Sequence, residues 1–282
     1  MPAREPLPER VATRAVRHGL LVAGVLYATF YLALHVLGTH TDAQDYWATG
    51  FDRLYRAYAL GGAGYAYSPV FALAIAPFRS LPWPVFYVLW FALLSAALAW
   101  LVRPLPWNWR IPLVLLAVPE LLTGNIDLLM AVAIVVGFRH PAAWAFPLLT
   151  KVTPGVGLAW FAVRREWRSL GLALMATGAL ALVGFVLAPD LWPRWLATLY
   201  ENRDAVGPAL IGFPLWLRLP VALVVVVVAR SDRRWLIPVA VVAAMPHVYL
   251  QSLAVLLAIV RLLPAAVSGR EGSVMTAAPA ST

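Results

Sequence analysis

Apolar segments recur along almost the whole chain, at about 19–38, 67–79, 84–102, 111–123, 126–138, 142–163, 169–188, 213–229, 235–246 and 248–263. A helix that crosses the hydrocarbon core needs about 20 such residues, and several of these segments are shorter. Proline and glycine interrupt others, as in "YSPVFALAIAPF" and "VPELLTGNID". Short or broken helices are tolerated at membrane depth where protein or a water-filled cavity covers the freed backbone groups. The pattern therefore predicts an all-α polytopic membrane protein of about 8–10 transmembrane segments, several short or broken, around a cavity. The organisation expected is a cytoplasmic tail over 1–18, a single transmembrane domain over 19–263 and a flexible cytoplasmic tail over 264–282. No internal repeat and no soluble domain are visible.

Composition agrees. Hydrophobic residues make up 62% and charged residues 12% of the 282, against about 25% charged in a soluble domain. There is no cysteine, which excludes disulfides and thiolate metal sites. The net charge of +9 is almost all arginine, and Lys151 is the single lysine. This excess belongs to cytoplasmic loops and anionic membrane lipids; no basic cluster lies on a soluble segment, so nucleic acid is not expected as a partner. Arginine also sets the orientation. Arg4, Arg10, Arg14 and Arg17 precede the first segment, and "RREWR" at 164–168 and "RSDRR" at 230–234 are dense clusters. Alternating the ten segments from a cytoplasmic N-terminus puts both clusters inside, and puts loops 39–66 and 189–212 and the Met245-Pro246-His247 connection outside. The same count puts the 124–127 turn inside.

The two long outer loops carry chemistry. The first, beginning "THTDAQDYWATG", holds Asp42, Asp45, Asp52, Arg53 and Arg56 among Tyr46, Trp47, Phe51, Tyr55 and Tyr58. Its stretch "DYWATGFDRLYRAYAL" repeats apolar residues at helical spacing and predicts an interfacial amphipathic helix; loop 189–212 has the same character. Aromatics are common at interfaces in any case. Asp42 is placed to act as a general base at the membrane surface, or else is a solvated residue or a helix N-cap. Lys151 in "WAFPLLTKVTPGVGLAWF" either faces a cavity or pairs with Glu120 or Asp127. His247 falls on the same side as Asp42, or caps a helix end. Arg218 is expected to snorkel, and His18, His35 and His140 read as ordinary helix-end or core residues.

The order of four features resembles glycosyltransferase family 87, the polyprenol-phosphate-mannose-dependent α-mannosyltransferases of the C-superfamily of membrane glycosyltransferases. They are Asp42 with Tyr46; Tyr67-Ser68-Pro69 closing at Pro77; the turn Gly124-Asn125-Ile126-Asp127; and Lys151-Val152-Thr153-Pro154 leading into "RREW". A late His-x-Tyr, His247 and Tyr249, is similar too. The chain departs from the family pattern where Tyr-Ser-Pro replaces Tyr-Pro-Pro and where the turn lacks its glutamine. The resemblance implies a glycosyltransferase C-type helical fold and inverting transfer of a hexose, mannose by likeness, from a polyprenyl-phosphate donor to an extracytoplasmic lipid or glycan acceptor. It implies no cofactor and no metal, and a bacterial plasma-membrane location with the site on the extracytoplasmic face. The base is then Asp42, with Asp45 as the alternative. Tyr46, Arg53, Arg56, Tyr67, Asp127, Lys151, His247 and Tyr249 are the residues expected to meet substrate. Two other readings compete: a small-molecule or lipid transporter or flippase, and a degenerate, non-catalytic relative.

Overall fold

The computed structural model describes residues 7–55, 64–201 and 213–264. Arg56, Tyr58, the end of loop 189–212 and the tail from 265 lie outside the described residues, as do the first six residues.

The described chain is helical. Three helices are long and apolar enough to cross a membrane: α1 (Leu7–Val36, the crossing part being Val11–Val36), α4 (Trp83–Val102) and α9 (Trp167–Leu187). Between α1 and α4 lie two short helices, α2 (Asp42–Ala48) and α3 (Pro69–Ile75). After α4 come α5 (Trp107–Thr123) and α6 (Asp127–Gly137), bent by 116° at the intervening break. Then follow α7 (Ala145–Lys151) and α8 (Ala159–Val163), α10 (Leu191–Glu201) after α9, α11 (Leu215–Ala229), α12 (Ile237–Ala244) and α13 (Ala258–Leu262). Four short 3₁₀ stretches extend α7, α8, α12 and α13 at their N-terminal ends: Pro141–Trp144, Thr153–Leu158, Arg234–Leu236 and Gln251–Leu257.

Contacts assign each helix end to one of two ends of the bundle. α1 and α5 run the same way and pack closely: a methyl group at Gly24 would stand 2.9 Å from the Leu115 side chain. Small residues allow such close approach where no hydrophobic drive separates helix from lipid. α4 runs against them, since its N-terminal half bonds the end of α5 through Tyr87 Oη to Leu122 O (3.2 Å) and Trp90 Nε1 to Gly124 O (2.7 Å). Its far end receives the Arg261 guanidinium at Trp100 O. Arg164 ties the turn after α8 to the end of α11, donating to Arg230 O and Asp232. Arg103, Arg110, Arg139, the 164–168 and 230–234 clusters and Arg261 thus share one end. Thr41–Ala48, the 124–127 turn, Lys151 and the 245–247 connection share the other, which is called the mouth below.

Two expectations about individual segments change. The 67–79 segment does not run between the ends; α3 and the 3₁₀ turn Ala76–Ser80 stay beside α2, with Arg79 Nε donating to Trp47 O and Trp47 Nε1 to Leu81 O. The 142–163 segment is two legs rather than one, reversed at Val152, whose φ of 46° is costly for a β-branched residue. The two differences offset each other. Both arginine clusters stand at the end opposite Thr41–Ala48, as in the alternating count, while the connections between 80 and 151 exchange ends. The 124–127 turn therefore moves to the mouth, and Arg103, Arg110 and Arg139 join the other arginines.

Two cores result. One fills the bundle around Leu94, Met130, Ile134, Trp144 and Phe161. The other is an aromatic platform at the mouth around Tyr46, Tyr65, Tyr67, Phe71 and Trp195. Apolar side chains on the outward faces of α1, α4, α9 and α11 remain exposed, among them Leu26, Leu89, Val186 and Val224, which suits contact with lipid tails.

Candidate active site

The site is built where α1 ends. Thr41 caps α2: its hydroxyl accepts from Gln44 N while the Gln44 side chain accepts from Thr41 N (2.9 Å). This reciprocal box satisfies two orphan donors and ends the chain's exit from the membrane in a defined direction. The cap is Thr41 rather than Asp42, so Asp42 is left as the first helical residue with its carboxylate available. The helix is shorter than the sequence pattern suggests, because it stops at Ala48, before Thr49 and Gly50.

The buried face of α2 packs on the 124–127 turn and on the aromatic platform. Gly124 ends α5 at φ 73°, and a methyl group there would stand 2.6 Å from Ala43 Cβ. Only glycine meets both demands. Tyr46 Oη donates to Tyr67 Oη (3.0 Å), and Tyr55 and Tyr65 donate to Tyr67 O and Ser68 O. Tyr46 and Tyr67 are both buried; they hold α2 in place by ring packing and a hydroxyl pair. Trp195 of α10 adds a bond to Ala66 O.

Asp42 Oδ2 accepts from Asn125 Nδ2 at 2.8 Å. Asn125 Oδ1 in turn accepts from Ile126 N at 2.7 Å. Two residues on, Asp127 is fully buried, its N–H donated to Glu120 Oε1 (2.7 Å) and its Oδ1 paired with Lys151 Nζ (2.6 Å). One turn therefore links Asp42 to the lysine, and of the two pairs weighed for Lys151 the one formed is with Asp127. Asp42 keeps part of its surface exposed, though packed protein surrounds most of it. Loss of solvent pushes its carboxyl up to about 6; the Asn125 bond and the Lys151 charge oppose that rise.

Asp45 is turned to a different partner, His40 Nε2 at 2.8 Å. Arg53 is exposed and pairs with Asp52 at 3.3 Å, away from Asp42's partners. Arg56 lies outside the described residues. His247 and Tyr249 stand 6.4 Å apart, ring to ring, on the connection after α12. Tyr249 lies in the field of Asp42 and Lys151. Burial, with Arg218 and Lys151 adding positive charge, holds the His247 imidazole below its ordinary value. Asp42, Asp127, Lys151, His247 and Tyr249 thus converge, whereas Arg53 does not join them.

Arg218 does not snorkel. It is buried and donates to four carbonyls, of Phe213, Ala243, Met245 and Pro246. It clamps the connection that carries His247. Asn125, quoted in the sequence only as part of the 124–127 turn and not among the residues expected to meet substrate, was marked by its place after a helix-ending glycine.

The profile of glycosyltransferase family 87 matches residues 65–280. A relative in Mycobacterium tuberculosis (strain ATCC 25618 / H37Rv) is named polyprenol-phosphate-mannose-dependent alpha-(1-2)-phosphatidylinositol mannoside mannosyltransferase. It is 36% identical over 94 residues, covering 30% of this chain. The matched part spans 22% of that relative's length. No solved structure matches the chain. With the profile running over most of the sequence, from the aromatic platform through the bundle, the chain belongs to glycosyltransferase family 87.

Proposed function

We propose that this membrane protein transfers a hexose, mannose by likeness to the mycobacterial relative, from a polyprenyl-phosphate donor to a hydroxyl of a lipid or glycan acceptor. The observation that carries the reading is Asp42: a half-buried carboxylate of raised proton affinity at the mouth, fixed by Asn125, with Lys151 and His247 nearby. The acceptor oxygen attacks the anomeric carbon and passes its proton to Asp42. The bond from that carbon to the phosphate oxygen breaks, and polyprenyl phosphate leaves with the electron pair. Attack opposite the leaving group inverts the anomeric centre. Lys151, with two ammonium protons beyond the one given to Asp127, and His247 are suited to the phosphate's charge. A base near the operating pH balances being ionised against being strong enough to take a proton.

The charges gather where helices start and stop: Asp42 opens α2, Asp127 opens α6 and Lys151 closes α7. That favours chemistry at a membrane surface over a transporter, whose key charges belong at the midplane. The orientation that goes with this reading puts the mouth on the extracytoplasmic face of a bacterial plasma membrane, because the arginines crowd the opposite end.

Purified protein should transfer radiolabelled mannose from a polyprenyl-phosphate mannose to phosphatidylinositol mannoside, with chelator present and no sugar nucleotide added. A strict requirement for a sugar nucleotide would refute the donor assignment.

A further inference from the structure

Asn125 is buried, lies 83 residues from Asp42 in sequence, and points its amide nitrogen at the Asp42 carboxylate. Which way that amide faces is decided by its neighbour. The Ile126 N–H needs an acceptor, and Asn125 Oδ1 supplies it at 2.7 Å, so Nδ2 must be the atom turned to Asp42. The turn that carries Asn125 is held on both flanks: Trp90 Nε1 donates to Gly124 O before it, and Glu120 Oε1 accepts from Asp127 N after it. Glu120 is itself buried. A backbone so pinned has little freedom to reposition the amide.

We infer that Asn125 is a positioning residue for the base: its amide anchors one oxygen of Asp42, turns the other toward the acceptor hydroxyl, and sets the pH window in which Asp42 accepts a proton. The inference rests on the reading of Asp42 as base. The geometry matches that task. Asp42 Oδ2 is the anchored oxygen, and Oδ1 takes no hydrogen bond from the described residues. A donor to the ionised form lowers proton affinity. At a half-buried carboxylate this opposes the effect of lost solvent.

Other groups also act on Asp42. Asp45 and Tyr46 face it from α2 itself, and Tyr67 from the segment before α3. Glu120 of α5, Asp127 of α6, Lys151 of α7 and Tyr249 on the connection after α12 complete the set. Among these, the Asn125 amide is the sole hydrogen-bond donor to the Asp42 carboxylate within the described residues. Its removal should therefore move Asp42 upward, because the neighbouring carboxylates then go less opposed.

The test compares wild type with Asn125→Ala and Asn125→Asp, each as the full chain in nanodiscs. Asn125→Asp is nearly isosteric and keeps an oxygen for the Ile126 N–H, which guards against loss of the turn. Two readouts are taken. The first is the pH profile of kcat/KM, with radiolabelled polyprenyl-phosphate mannose as donor and phosphatidylinositol mannoside as acceptor probe. The second is ¹³C NMR titration of carboxyl-labelled aspartate, with the Asp42 signal identified by its absence in Asp42→Asn. In Asn125→Ala both midpoints should rise by about one unit or more, as expected for a lost bond to a charged group. In Asn125→Asp they should rise further, by about two units, because a second carboxylate opposes ionisation. Activity should recover toward the alkaline side. A uniform loss of rate with unmoved midpoints, or an Asp42 signal that shifts while the kinetic midpoint stays, overturns the inference. Wild-type turnover in Asp42→Asn would instead overturn the base itself, whatever Asn125 does to the carboxyl signal.

Discussion

Asp42 and Asp45 stand three residues apart on one short helix, yet they meet different partners. Asp42 faces the Asn125 amide, and Asp45 faces the half-exposed His40 ring. Burial raises the Asp42 carboxyl to about 6. A base works in its deprotonated form, so the sign is plain: kcat/KM should hold above about pH 6 and fall about tenfold per unit below it. Asp42→Asn keeps the shape and loses the basicity. It should lower turnover by about 10²–10⁴-fold while leaving expression and donor binding near wild type. Asp45→Asn should be milder, since its carboxylate serves the His40 contact. Radiolabelled mannose transfer normalised to protein level, followed from pH 5 to 8, measures both. A larger loss in Asp45→Asn would move the base three residues along.

The element that organises the mouth is the α5–turn–α6 break. α5 ends because Gly124 takes a left-handed conformation, and α6 restarts at Asp127, whose N–H is taken by Glu120. Without that bend Asn125 and Asp127 would continue along a straight span, and neither would reach its partner. Gly124→Ala tests the element. An alanine at φ 73° costs about 1–2 kcal/mol, and its methyl group meets Ala43 Cβ and the Trp90 ring. The melting temperature should drop, and α2 should be pushed off its seat. A displacement of about 1 Å at reacting groups costs about 10²-fold in rate, so transfer should fall by that order in whatever fraction stays folded. Unchanged melting and transfer would mean that α2 does not seat against the turn. The Arg218 clamp plays the matching part for the 245–247 connection, tying its carbonyls to α11.

Across the whole molecule, the exchange of sides between residues 80 and 151 is the feature open to direct measurement. Strict alternation of ten spans places Ser80 with the arginine clusters and Asn108 with Thr39. The fold reverses both, because α3 stays at the mouth; the split at Val152 then restores the count before the 164–168 cluster. The chain has no cysteine, so single-cysteine variants report without background. Thr39→Cys and Ser80→Cys should label from the same side with an impermeant maleimide, and Asn108→Cys and Ser231→Cys from the other; all four positions are exposed. Labelling of Ser80→Cys together with Ser231→Cys would restore a 67–79 span and contradict the fold. The arrangement also concentrates positive charge better than simple alternation does, since Arg103, Arg110 and Arg139 join the other clusters. Insertion favours that arrangement.

Composition and periodicity were enough for an all-helical membrane bundle, because a hydrocarbon solvent demands internally bonded helices and long apolar runs, and both leave a plain signature. Candidate residues were legible as well. Asp42 in the first loop, Lys151 within an apolar helix and the late His247-x-Tyr249 could be picked out by type and place, and the order of those features suggested the family that the profile match establishes. The contacts among them were not legible. Nothing near Asn125 in the sequence reveals that its amide reaches back 83 residues to Asp42. The choice between Glu120 and Asp127 as partner of Lys151 needed coordinates, because either acid satisfies an intramembrane ammonium. Parity was lost for a related reason. Hydropathy measures how well a segment tolerates apolar surroundings, and α3, whose Phe71, Ala72 and Ile75 pack into the aromatic platform, is apolar in the same way although too short to span. Whether such a segment crosses the membrane or stops beneath its surface depends on what packs over it, and that is decided only when the chain is folded.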